Sequence, residues 1–134
     1  FPEGTYGFVY KITHIPSNKS YLGKKVLIHN KKTKLTKKDL LMYEGVQGRK
    51  PTYKIVQKDS NWKSYYGSNK PLLELVQTES LENFKREILI LCTTKKQLTY
   101  YETQALFTYR VLEEDNKWFN DNILGKFFRK DFEE

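Results

Sequence analysis

Glu102 stands where a carboxylate is least expected. Thr94-Lys95-Lys96-Gln97 reads as a capping box, and it opens a helix expected to run to about Leu112. On that helix Leu98, Tyr101, Ala105, Leu106, Tyr109 and Leu112 form one apolar face, and Glu102 falls between Tyr109 and Leu106. A carboxylate buried bare costs several kcal/mol, so it must pair with a lysine, bind a metal or lie at a cleft. A second group of polar residues crowds one hairpin. Tyr6, Tyr10 and Tyr21 share it with Lys11, Lys19, Lys24 and Lys25. A stable hairpin needs an apolar face and a turn, not this many phenols and ammonium groups, although strand tyrosines packed on a sheet are common. Other chemistry is thin. His14 and His29 are too few and too isolated for a zinc site, and His14 is expected to be exposed at a strand end. Cys92, the single cysteine, reads as a small buried hydrophobe, and it excludes an internal disulfide.

These residues must be positioned by a small set of elements. Gly7–His14 reads as a strand, Ile15-Pro16-Ser17-Asn18-Lys19 as its turn, and Ser20–Lys25 as the return strand. A short helix ending at Gly67 is expected within residues 61–68, and a second helix from about Pro71 to Thr78. Phe84–Cys92 is a third strand, and its apolar end argues that it is central in the sheet. The aromatic tail, Trp118 to Phe128, should pack back on the domain. Residues 26–58 carry the weakest signal: a lysine run, a short possible helix over 38–44, and Gly45 and Gly48 in an otherwise loop-like stretch. The expected fold class is α+β, a single domain with a small three-stranded sheet flanked by helices.

Charge points to a partner. The chain has 134 residues and a net charge of +8. Residues 1–70 hold 15 basic and 4 acidic side chains, and residues 71–134 hold 9 and 12. A field this lopsided draws polyanions to one side of the molecule, and nucleic acid is the usual polyanion. No apolar run approaches the ~20 residues that cross a bilayer. The cysteine usage fits a reducing cytoplasm. Phe1 stands where an initiator methionine would, so the natural start is expected to lie upstream.

Several short motifs come in a telling order. Gly7-Phe8-Val9-Tyr10 is followed by Tyr21-Leu22-Gly23 and Lys24-Lys25. Then come WKSYYGS (Trp62 to Ser68), FKREILILC (Phe84 to Cys92), Tyr100-Tyr101-Glu102 and Trp118-Phe119-Asn120. In these the chain resembles the GIY-YIG nuclease family, most of all the Seg-type homing endonucleases of T4-like phages. The first element is one residue longer than the family's usual tripeptide. The resemblance covers nearly the whole chain but is poor from Val26 to Lys58, which reads as a lysine-rich insertion.

The resemblance implies hydrolysis of phosphodiester bonds in double-stranded DNA with one Mg²⁺, for which Mn²⁺ could substitute, in the cytoplasm of a bacterial host. It makes Glu102 the metal ligand, and one carboxylate suffices because Mg²⁺ keeps several waters and takes phosphate oxygens. It makes Tyr10 and Tyr21 the candidates for base and for positioning of water or phosphate, with Tyr10 favoured as base. A free phenol titrates near ~10, so the base needs help, and cations such as Lys24 and Lys25 would favour the phenolate. The family's phosphate-contacting arginine is carried to Arg49, with Tyr53 four residues on. Tyr66 falls in the block near the scissile phosphate, and Asn120 matches a late asparagine that supports the site. Lys24, Lys25, Lys31, Lys32, Lys34, Lys63 and Lys70, with Tyr53, are the expected DNA contacts. The rival reading is a DNA-binding or interaction module that keeps this fold without the activity.

Overall fold

The computed structural model describes residues 1–41, 45, 48, 53–114 and 116–132, with the side chains of 29–33 and 55–57 outside the description. The chain divides into two compact units, Phe1–Leu27 with Asn61–Glu134, and Ile28–Ser60.

The larger unit is built on the expected hairpin. Strands β1 (Gly7–His14) and β2 (Lys19–Val26) pair antiparallel, with Tyr10 opposite Gly23 and Ile12 opposite Tyr21. Asn18 closes the turn at φ 55°, a conformation asparagine tolerates. The smaller unit is an antiparallel pair, β3 (Ile28–Lys34) and β4 (Tyr53–Asp59), with a five-residue helix α1 (Lys37–Leu41) between them. The loop-like reading of residues 26–58 therefore missed two strands. Their lysines and polar residues give no apolar alternation to detect.

Back in the larger unit, a 3-10 turn spans Trp62–Ser64, and Gly67 follows at φ +87°. Helix α2 (Lys70–Thr78) starts on Asn69, whose side chain accepts from the Leu72 amide. Leu72 is fully buried, worth about 1.5–3 kcal/mol. Strand β5 (Phe84–Cys92) joins the sheet, and its order is β2-β1-β5. So β1, not β5, is central, and β1 is the strand buried on both faces. Much of the apolar end of β5 is exposed instead, Ile88 at 49% and Leu91 at 44%. Its register against β1 shifts opposite Val9 and Tyr10, a bulge that leaves Leu89 of β5 as the extra residue.

Helix α3 (Lys95–Thr108) is capped by Thr94, whose hydroxyl accepts from the Gln97 amide, while the Gln97 side chain accepts from Thr93. It ends at Thr108 rather than Leu112, and Arg110 at φ 55° turns the chain. Leu98, Ala105 and Leu106 of α3 pack with Val9, Leu22, Cys92 and Trp118 on one face of the sheet. Phe8, Tyr10, Ile12, Leu72, Phe84 and Phe119 fill the other. The tail packs back as expected at Trp118, Phe119 and Ile123, and a short pair, β6 (Asn122–Ile123) with β7 (Phe127–Phe128), follows. His14 is buried rather than exposed: its ring bonds Ser17 at 2.7 Å and Glu79 at 2.9 Å, joining β1 to the end of α2. Among the described residues no helix is long and apolar enough to cross a membrane. The larger unit is an α+β fold, a three-stranded sheet with helices against it.

Candidate active site

The site grows from the outer edge of β2, the edge away from β1. Side chains alternate along the strand, so Tyr21, Gly23 and Lys25 share the face of Tyr10, while Leu22 and Lys24 point towards α3. The tail lies along this edge: Ser20 donates its amide to the Lys117 carbonyl at 2.8 Å, and the Phe119 amide donates to Ser20 at 2.7 Å. Asn120, buried, continues the tail, and its side-chain amide bonds both backbone groups of Leu22. The Arg129 guanidinium donates to the carbonyls of Val111, Trp118 and Asn120, fixing the tail from behind.

A polar cleft of about 500 Å³ opens here, lined in part by Tyr21, Ser68, Lys70, Glu102, Asn120 and Asp121. Tyr21 therefore shares open space with Glu102. Burial pushes the Glu102 carboxyl above its ordinary range, and the Lys24 ammonium opposes that. Lys24 itself donates to the Thr99 hydroxyl one helical turn away, at 3.0 Å. The stripe read from sequence is narrower than expected: Tyr101 and Tyr109 are exposed, and Glu102, half-buried, falls on the helix next to buried Ala105 and Leu106. It is the cleft alternative for that carboxylate that the geometry matches.

Tyr10 lies behind Tyr21, with ring centroids 6.3 Å apart. It is only 5% exposed, and its ring meets that of Tyr65 edge to face with centroids 6.1 Å apart. Two glycines make the fit. A Cβ at Gly23 would lie 2.6 Å from the Tyr10 hydroxyl and 3.0 Å from Tyr21. One at Gly67 would lie 3.1 Å from Tyr21, on a backbone that already favours glycine. Burial, then the neighbouring phenols Tyr21 and Tyr65, push the Tyr10 hydroxyl far above its ordinary value. Burial also raises Tyr21, against a hydrogen bond from Ser68. Both shifts disfavour the phenolate. The hairpin lysines do not counter that: Lys24 turns to α3, and Lys25 lies over the Tyr65 ring, 3.9 Å from its centroid.

The remaining expected residues separate into groups. Lys70 lines the cleft. Lys63 is exposed with its ammonium 5.7 Å from the Trp62 ring. Tyr66 is not at the cleft: it packs on Phe84 under the Arg86 guanidinium. Lys31, Lys32 and Lys34 lie on β3 and Tyr53 starts β4, all in the smaller unit, where Lys34 and Tyr53 are exposed. Arg49 lies outside the described residues.

Sequence reading missed Tyr65, Ser68, Arg86 and Asp121. Choosing Tyr66 over Tyr65 was a question of parity, because adjacent residues of an extended segment point opposite ways, and Tyr65 is extended. Arg86 donates to the carbonyls of Lys63 and Tyr65 at 2.8 and 3.3 Å, holding that segment on β5.

Among the described residues no three His, Cys, Asp or Glu gather as a metal cage. The cleft nonetheless suits a hard cation that keeps its waters: two carboxylates, Glu102 and Asp121, line open polar space, and Mg²⁺ asks for one or two carboxylates plus phosphate and water. Hairpin, longest helix and tail thus define an α+β domain with a phenol–carboxylate cleft at one sheet edge. The family model described as "Putative endonuclease segE, GIY-YIG domain" matches residues 1–123. The chain belongs to the GIY-YIG endonuclease family. No curated protein and no solved structure matches it.

Proposed function

We propose that the chain is a Mg²⁺-dependent DNA endonuclease of the Seg homing type, nicking or cutting double-stranded DNA inside a phage-infected bacterial cell. The observation that carries this reading is the cleft shared by Tyr21, Glu102 and Asn120 on the edge of β2. Glu102 would hold the metal, and a cation there supplies positive charge that polarises the phosphate and stabilises the leaving 3′ oxygen. Lys24 tempers the charge beside Glu102, and Lys70 offers a cation to the DNA backbone.

The two phenols handle the proton. A water attacks phosphorus in line with the leaving 3′ oxygen, the P–O3′ bond breaks as the new P–O bond forms, and the 3′ oxygen leaves as an alkoxide that takes a proton from solvent water in the open cleft to become the 3′ hydroxyl. A neutral buried phenol accepts the water's proton only as it passes its own on, to a phosphate oxygen or along the pair. Tyr21, which faces the cleft, is placed to touch water or phosphate. Tyr10, whose ring lies behind that of Tyr21, would take the proton further or hold Tyr21 in line. Asn120 acts by fixing β2, since both ends of its amide are used on Leu22.

The test is conversion of supercoiled plasmid to nicked and linear forms, with Mg²⁺ or Mn²⁺ and with EDTA. Cutting that needs the cation supports the reading. Binding of DNA without cutting in any cation would instead identify a binding module on this fold.

A further inference from the structure

A second hollow lies on the other side of Tyr10. It measures about 220 Å³ and is lined mainly by Phe8, Tyr10, Trp62, Tyr65, Arg86 and Ile88. Protein interiors normally close such gaps. Here the gap stays open at a rim where Ile88 is 49% exposed. Its rings meet edge to face: Phe8 with Trp62 at 82°, and Tyr10 with Tyr65 at 86°. Phe1 already stacks on Phe8, 5.7 Å between centroids, and meets Trp62 edge to face at 4.8 Å, so the walls left for a planar guest are chiefly Trp62 and Tyr65.

Charged groups surround these rings: one acid, Glu87, lines the hollow, and three cations lie beside it. The Lys25 ammonium is 3.9 Å from the Tyr65 centroid and the Lys63 ammonium 5.7 Å from that of Trp62, and the Arg86 guanidinium forms part of the wall. Aromatic walls with basic groups beside them match a nucleotide, whose base is flat and apolar and whose phosphate is anionic. Tyr10 connects this hollow to the cleft. Its ring lines the one, while its hydroxyl lies against Gly23 and Gly67 beside Tyr21, which lines the other. A base held here would sit next to the phosphate in the cleft.

We infer that the hollow between Trp62, Tyr65 and Phe8 receives one unpaired nucleobase of the DNA strand, so that the preferred DNA ligand carries an unpaired nucleotide. This rests on the nuclease reading for its substrate, but binding alone can test it. A paired base cannot enter without leaving its stack, whereas a bulged base is largely free to do so.

The full chain, in EDTA, is titrated into a labelled duplex carrying a single-nucleotide bulge and into the same duplex fully paired, with affinity read by anisotropy. The bulged duplex should bind at least about fivefold more tightly, the lower end of what stacking one base on an aromatic contributes. Trp62→Leu should remove that preference while leaving affinity for the paired duplex within about twofold, and Trp62→Phe should keep it. Ile88→Trp, at the exposed rim, should remove it by filling the hollow, and it serves where Trp62→Leu does not fold. Equal binding of both duplexes by the natural chain overturns the inference. So does a preference that survives both Trp62→Leu and Ile88→Trp. A chain that prefers the bulged duplex but cuts no DNA with Mg²⁺ supports the hollow and sinks the nuclease reading instead.

Discussion

Asn120 and Leu22, ninety-eight positions apart in sequence, are joined by a closed pair of hydrogen bonds. The Leu22 amide donates to Asn120 Oδ1 at 3.0 Å, and Asn120 Nδ2 donates to the Leu22 carbonyl at 2.9 Å. The asparagine thereby does for the edge of β2 what another strand would do. Asn120→Ala leaves two buried backbone groups without a partner, at a cost of about 1–3 kcal/mol. The melting temperature should fall by roughly 3–10 °C. Asn120→Asp keeps the acceptor but not the donor, and it should not restore the loss. Melting curves that overlay for all three chains would show that the pair holds nothing.

Glu102→Gln should abolish cutting while DNA binding in EDTA is kept, and it should also change stability with a definite sign. The folded chain raises the Glu102 pKa by burial, so it binds that proton more tightly than the unfolded chain does. Stability then declines as pH rises above the ordinary glutamate range near ~4.3. The glutamine variant lacks this decline. It should be more stable than the natural chain at neutral pH and indistinguishable below about pH 4. Denaturation midpoints against pH read this directly, and a variant less stable at pH 7 would refute the burial argument.

Tyr21→Phe and Tyr10→Phe each delete one hydroxyl and leave the ring packing. If proton handling by the pair is as proposed, each should lower single-turnover cutting by ~10²–10⁴-fold, the usual worth of positioned acid–base help. Tyr21→Phe should be the more severe, since Tyr21 lines the cleft and Tyr10 does not. Full activity in both variants would leave the tyrosines as packing residues.

Gly23→Ala adds one methyl group against the Tyr10 hydroxyl, 2.6 Å away, and against Tyr21, 3.0 Å away. Overpacking of this kind costs typically ~1–3 kcal/mol. The rings must move to make room, and misplacement by about 1 Å can cost ~10²-fold in rate. Loss of activity should therefore exceed loss of stability. A crystal structure of the variant with unmoved rings and normal cutting would contradict this.

Replacing Lys31, Lys32 and Lys34 of β3 with Gln tests the smaller unit as a DNA-binding surface. Each lysine that neutralises a phosphate adds about 0.9 to the slope of log affinity against log salt on duplex DNA. If all three do so, the triple variant should flatten the slope by roughly 2–3 units and bind more weakly by the same factor across sequences. An unchanged slope would move the DNA surface to Lys63 and Lys70 in the larger unit.

The hairpin and α2 were legible in sequence because their signals are local: turn residues for the one, and Pro71 near the helix start for the other. Family motifs carried the rest of the fold. What stayed hidden depends on contacts between distant segments. Sheet order is one case, since the apolar run in β5 reads as a central strand while β1 holds that place. The tyrosine that meets Tyr10 is another, because Tyr65 and Tyr66 are equal as letters and opposite in direction. His14 read as exposed because nothing nearby announces Glu79, sixty-five positions on. The hairpin lysines read as activators of the phenols, but strand alternation sends Lys24 and Lys25 to different faces.

The position of β5 has a consequence for how the molecule keeps its own company. No described strand pairs with its outer margin, and Ile88 and Leu91 are both exposed there. Such a margin is a template for another chain to pair on, and so for aggregation. Lys85, Arg86 and Glu87 guard only the leading half of the strand, and the run Ile88 to Leu91 that follows carries no charge. Leu91→Lys should therefore raise solubility at high concentration without touching the cleft.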